Sequence, residues 1–179
     1  MAFDRAGWLL GVRHEPSPNR DARPSVATEL LVIHNISLPP GEFGSGDIFA
    51  LFGNRLDAGK HPFYREIESL RVSAHFVVER CGGITQCVSV FERAWHAGAS
   101  SWLGRERCND FSVGIELEGT DDRPFTEAQY AALEHLAAQL VAALPLRAAA
   151  GHSDIAPGRK SDPGPCFDWG RLTAIKHSA

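Results

Sequence analysis

The sequence predicts an α/β fold in a single domain, on three observations. Runs of strand length, apolar or strictly alternating, recur at 30–33, 74–79, 84–90 and 111–118. One long helix, 126–144, carries a start signal and a core-facing apolar stripe. At 179 residues, with 44% hydrophobic and 22% charged, the chain has the size and composition of one globular domain.

In chain order, residues 1–28 are rich in Pro, Arg, Asn and Ser and read as an N-terminal arm packed on a domain spanning 29–179. The run 30–33 suits a strand covered on both faces, with His34 at its C-terminal end. Residues 36–46 form a Pro/Gly loop, and 47–52 a short helix capped by Asp47. Strands 74–79 and 84–90 make a hairpin around Cys81-Gly82-Gly83. In 111–118 the apolar residues share one face, leaving Ser112, Gly114, Glu116 and Glu118 on the other, two carboxylates with little bulk between them. Thr126 and Gln129 form a capping box for the long helix, whose stripe is Tyr130, Leu133, Leu136, Ala137, Leu140, Val141 and Leu144. A polar loop, 151–165, and a closing helix, 167–176, complete the chain.

Composition excludes several classes of function. Eighteen Lys+Arg against 22 Asp+Glu give a formal charge of −4, with no basic stripe, so no nucleic-acid partner is expected. No apolar stretch reaches the roughly 18 residues of a membrane span, so no membrane partner is expected either. The N-terminus shows no basic segment before its short Trp8-Leu9-Leu10 run, so a cytoplasmic protein without a secretory signal is expected. Cys81, Cys87, Cys108 and Cys166 lack C-x-x-C spacing and are read as reduced thiols acting as small buried hydrophobes; Cys81 and Cys87 could otherwise meet across the hairpin.

Of eight histidines, His14, His61, His135 and His177 lie in arm, loop, helix and tail and are expected on the surface. His34, His75, His96 and His152 end strands or open Gly/Pro loops, where side chains converge on sites. The 151–165 loop gathers His152, Asp154, Arg159, Lys160 and Asp162 among three prolines. A catalytic zinc takes three ligands from His, Asp and Glu and leaves a fourth position open, so one histidine from a separate strand would complete a site, and His34 is the natural candidate. No H-E-x-x-H helix is present.

Five segments carry a resemblance. They are 34–44 (His34-Asn35-Ile36-Ser37-Leu38-Pro39-Pro40-Gly41-Glu42-Phe43-Gly44), Arg71-Val72-Ser73-Ala74-His75, Arg93-Ala94-Trp95-His96-Ala97-Gly98, 104–120 and 151–165. Together they resemble the zinc-dependent N-acetylmuramoyl-L-alanine amidases, and within them the cytoplasmic branch, over nearly the whole chain. The likeness is weakest in 126–144 and at both ends. With the strand count, the resemblance implies a central mixed sheet of about five or six strands flanked by helices, with the zinc site in a groove at strand ends.

It further implies one Zn²⁺ per chain, held by His34, His152 and Asp162, a donor set that leaves the ion positive enough to lower the pKa of bound water towards roughly 7. Glu116 matches the general base, Lys160 the group that stabilises the oxyanion. Asp154 has no metal role in the family pattern and is read as a turn or cap. Arg71 and Arg107 are candidates to grip the stem-peptide carboxylates. Trp95 either stacks on the sugar or belongs to the core, and Asn35 either bonds the sugar or orients the metal's surroundings. His75 is read as structural, and neither Tyr64 nor Tyr130 is given a catalytic role. The activity implied is hydrolysis of the amide between the lactyl group of (1,6-anhydro-)N-acetylmuramic acid and L-alanine in wall recycling, with influence on β-lactamase induction. The substrate expected is a small soluble muropeptide, and a monomer is expected. The competing readings are a periplasmic amidase on polymeric wall and a non-catalytic peptidoglycan-recognition module; the full set of five site residues favours an enzyme.

Overall fold

The computed structural model describes residues 2–179. In chain order the strands are β1 (Arg13–His14), β2 (Arg20–Ala22), β3 (Leu30–Ile36), β4 (Phe76–Val78), β5 (Ile84–Gln86), β6 (Glu92–Ala94), β7 (Ser101–Trp102), β8 (Arg105–Glu106), β9 (Ser112–Glu118) and β10 (Ala148–Gly151). The helices are α1 (Asp47–Phe52), α2 (Tyr64–Ile67), α3 (Glu127–Ala143) and α4 (His152–Ile155). Six strands form one sheet in the order β1-β5-β4-β9-β3-β10, parallel at every junction except the β4–β5 hairpin. This is the mixed sheet flanked by helices that the sequence predicts.

Burial explains the layering. Leu31 and Ile33 of β3, Phe76 and Val78 of β4, and Val113, Ile115 and Leu117 of β9 pack under the α3 stripe of Tyr130, Leu133, Leu136, Ala137 and Leu140. The capping box forms as read: Thr126 Oγ1 accepts from Gln129 N and the Gln129 side chain accepts from Thr126 N. Val141 lies off the stripe and is exposed. On the opposite face, α1 and α2 cover Val77, Ala74 and Cys87, while Phe111, Cys108 and Ala97 cover Leu30 and Val32. The site opens on this second face.

Several expectations are corrected. The polar face of β9 is buried along its whole length, because flanking loops roof it over and turn it into a floor. The 148–151 strand was not predicted: Ala148-Ala149-Ala150-Gly151 has no strand propensity of its own, and pairing with β3 imposes the extended form. Gly46, at φ 76°, precedes α1 in place of an Asp47 cap. Asp47 sits buried in the first turn, accepting from Lys60 Nζ (2.8 Å) and Tyr64 Oη (2.9 Å). The closing helix shrinks to one 3-10 turn, Trp169–Arg171. Beyond it the tail runs along the outer edge of β10, with Ala149 N–H donating to Lys176 O and Ser178 N–H to Ala149 O, both at 2.8 Å. His177 is partly covered there: it stacks on Trp169 with ring centroids 3.8 Å apart and meets Asp154 Oδ2 at 2.8 Å. All four cysteines are free; Cys87 and Cys108 are buried, whereas Cys81 is exposed and Cys166 half-buried.

The first 28 residues supply β1 to the sheet edge and β2 to a ribbon with β6. Asn19 is buried there and donates to Val72 O (2.8 Å) and Phe52 O (3.2 Å), tying the arm to the loops around the groove.

Candidate metal centre and groove

Parallel pairing builds the site from the sheet outward. The β3–β9 register sets His34 directly against Glu116 on the same face, and the β3–β10 register ends with Gly151 beside Ile33, so His152 follows at the level of His34. Asp154 Oδ2 accepts from Gly151 N–H (2.6 Å) and starts α4, as a capping residue does. Ser153 N–H donates to Asp162 O (2.9 Å), folding the polar loop back so that Asp162 meets the two histidines.

His34 Nδ1, His152 Nδ1 and Asp162 Oδ2 converge: the nitrogens are 3.0 Å apart, and the carboxylate oxygen is 3.0 Å from His34 Nδ1 and 3.1 Å from His152 Nδ1. Zinc with nitrogen and oxygen ligands at its usual bond lengths needs donor atoms about 3.3 Å apart at the corners of a tetrahedron. His152 Nε2 faces the Ala97 carbonyl at 3.1 Å. A carbonyl only accepts, so Nε2 carries the hydrogen and Nδ1 is bare. A bare nitrogen and a carboxylate oxygen held together in a buried corner fit a cation between them, and among the described residues this trio is the one metal-competent cluster.

Glu116 is 9% exposed, and its Oε2 is buried with no hydrogen-bond partner. Burial, reinforced by the Asp162 charge and opposed by Lys160, raises its carboxyl well above the usual range. Burial also holds the His34 imidazole down to about 4 and that of His75 to about 3, so both rings are neutral at pH 7. A groove of about 440 Å³ runs from His34, Glu116, Lys160 and Asp162 past Asn35 and Trp95 to an apolar wall from α1, α2 and Val72. Lys160 is exposed at its rim.

Trp95 is half-buried and lines this groove. Asn35 spends both amide hydrogens, on Asp121 Oδ1 (2.6 Å) and Pro163 O (3.0 Å), and so braces the turn that follows Asp162. The structure does not bring Arg71 or Arg107 to the cluster. Arg71 is exposed and bonds the carbonyls of Glu68 and Leu70; Arg107 pairs with Asp110 at 3.3 Å and lines a neighbouring hollow with Arg159. Glu118, read as an exposed acid or ion-pair partner, is buried and accepts from Gly44 N–H (2.5 Å) and Arg80 N–H (3.2 Å). His75 is structural: Nδ1 accepts from Gly114 N–H at 3.0 Å. Tyr64 is spent on Asp47, and the Tyr130 hydroxyl accepts from Asp168 N–H. Sequence reasoning set His96 among the four histidines expected near a site but gave it no role, and gave none to Ser112 or Arg159; in the structure His96 touches His34 and Arg159 donates to Ala97 O (2.7 Å).

A histidine at the end of central strand β3, a second at the start of α4 and a carboxylate from the loop beyond it, beside a buried acid with a partnerless oxygen, fit the class of metal-dependent hydrolases. The chain belongs to the N-acetylmuramoyl-L-alanine amidase family, which matches residues 24–165. It is 55% identical over 172 residues to the 1,6-anhydro-N-acetylmuramyl-L-alanine amidase AmpD of Escherichia coli K12, covering 94% of each chain. A crystal structure of an AmpD selenomethionine derivative superposes with a TM-score of 0.92 at 50% identity, covering 98% of this chain and 99% of that one. The E. coli amidase AmiD, solved with anhydro-N-acetylmuramic acid-L-Ala-D-γ-Glu-L-Lys, superposes at 0.60 with 32% identity over 95% of this chain and 63% of that one.

Proposed function

We propose that this chain is a zinc amidase that cleaves the bond between the lactyl carbonyl of anhydro-N-acetylmuramic acid and L-alanine in small soluble muropeptides, acting as a cytoplasmic monomer in wall recycling. The observation that carries this reading is the partnerless Glu116 Oε2, set by strand register against His34 of the His34–His152–Asp162 cluster. The resemblance to AmpD over 94% of the chain supports the substrate class.

His34, His152 and Asp162 would hold the ion. Zinc there supplies a Lewis acid that polarises the scissile carbonyl and acidifies water near neutrality. Glu116 takes a proton from the attacking water and delivers it to the departing alanine nitrogen, so the water oxygen ends on the lactyl carbonyl carbon as the C–N bond breaks. Lys160, unpaired at the rim, faces the charge that gathers on the carbonyl oxygen. Trp95 and the apolar wall offer the sugar a surface to lie on, and Arg71 and Arg107, which do not line the groove, stay candidates for stem-peptide carboxylates on the chemistry of the guanidinium group alone.

The test is mass spectrometry of the purified protein with anhydromuramyl tripeptide and, separately, polymeric wall, with and without a chelator and with zinc restored. Release of peptide and anhydro sugar, lost on chelation and regained with zinc, is expected. Cleavage of polymer alone would favour wall trimming, and zinc binding without cleavage of either would make the protein a recognition module.

A further inference from the structure

His34 presents Nδ1 to the cluster and Nε2 to His96, and what lies beyond His96 decides where the protons sit. Ser112 Oγ stands 2.6 Å from the carbonyl oxygen of Cys108. The carbonyl has no proton to give, so at that distance the hydroxyl donates, and its lone pair faces His96 Nε2, 3.1 Å away. His96 Nε2 therefore carries a hydrogen and His96 Nδ1 is bare. At 2.9 Å that bare nitrogen accepts from His34 Nε2–H, which leaves His34 Nδ1 open.

We propose that His96 is a positioning residue which, anchored through Ser112 on the Cys108 carbonyl, selects the His34 tautomer able to bind a metal through Nδ1. The inference rests on the metal site proposed above. Three further observations support it. The ring is held from behind, since Asn109 Oδ1 accepts from His96 N–H (3.2 Å) and Ala97 N–H (2.8 Å). Space for it exists only because position 114 is glycine: a Cβ there would lie 2.5 Å from the His96 ring. And the next residue does the same service for the other imidazole, because the Ala97 carbonyl faces His152 Nε2. Two consecutive residues thus orient both histidines of the cluster, one through its side chain and one through its backbone.

The decisive measurement is the tautomer of His34 by long-range ¹H–¹⁵N correlation in the metal-stripped full-length protein, where no ion imposes the answer. The Nε2–H form is expected; a predominant Nδ1–H form overturns the inference whatever the variants do. Zinc affinity is then measured by competition with a chromophoric chelator. His96→Phe, which keeps a ring but no acceptor, should weaken zinc binding about 10–100-fold, His96→Asn should regain most of it because its Oδ1 can accept from His34, and Ser112→Ala should fall between. His34→Ala separates the two readings. If it binds zinc like the parent, the metal site itself is wrong. If it loses zinc while a folded His96→Phe stays within about twofold of the parent, only the relay fails.

Discussion

At Glu116 a carboxyl group is buried near the Asp162 charge with one oxygen unpartnered, a condition that costs stability and so calls for an explanation. Glu116→Gln keeps the shape and removes the proposed base; a loss of about 10²–10⁴ in kcat with zinc affinity and fold intact is expected from single-turnover assays. If Lys160 serves the transition state as proposed, Lys160→Met should lower kcat by about 10²–10³ and leave KM nearly unchanged. Equal losses in binding and turnover would assign Lys160 to substrate holding instead. The three cluster residues and Glu116 stood out from sequence and motif, because metal chemistry admits few residue types. His96 stood out only as one of four histidines near a site, without a role, and Ser112 not at all, because their part depends on which neighbour each ring nitrogen meets, and that is settled only by folding.

At the scale of elements, α1 depends on a charge in its first turn that does not cap it. Asp47 is buried, which alone would raise its pKa, but hydrogen bonds from Lys60 and Tyr64 outweigh burial and place it below the ordinary 3.8. A carboxyl group depressed in the folded state stabilises that state above the unfolded pKa, and the stabilisation fades as pH falls through the lower, folded value. Asp47→Asn should therefore cost about 1–2 kcal/mol in urea unfolding at pH 7, with the gap to the parent closing below pH about 3.8. A gap independent of pH would show that shape rather than charge matters at 47. The error in reading Asp47 as a cap has the same origin. An acid before an apolar run signals a helix start, but Gly46 takes the left-handed turn and frees Asp47 to bind residues 13 and 17 positions later. Similarly, α3 and β9 were legible because their periodicity lies within the element, whereas β10 was not, because its strand form is lent by β3.

For the molecule as a whole, metal and fold should be linked. The cluster joins β3 to the start of α4 and the loop beyond it, with His152 and Asp162 lying 118 and 128 residues from His34 in the chain, so an ion held there binds the native chain and not the unfolded one. Zinc at about 100 times its Kd should add about 2.7 kcal/mol, a rise of roughly 5–10 °C in Tm by calorimetry. An equal rise in Asp162→Ala would place the ion elsewhere. The tail from Lys176 to Ser178 has a different consequence. By occupying the outer edge of β10 it leaves no free ladder of N–H and C=O groups on that flank of the sheet. A chain cut before Lys176 would bare an alanine strand with nothing bulky or charged to repel a second copy, and edge-to-edge association of molecules would follow. The last few residues thus act as a guard against aggregation.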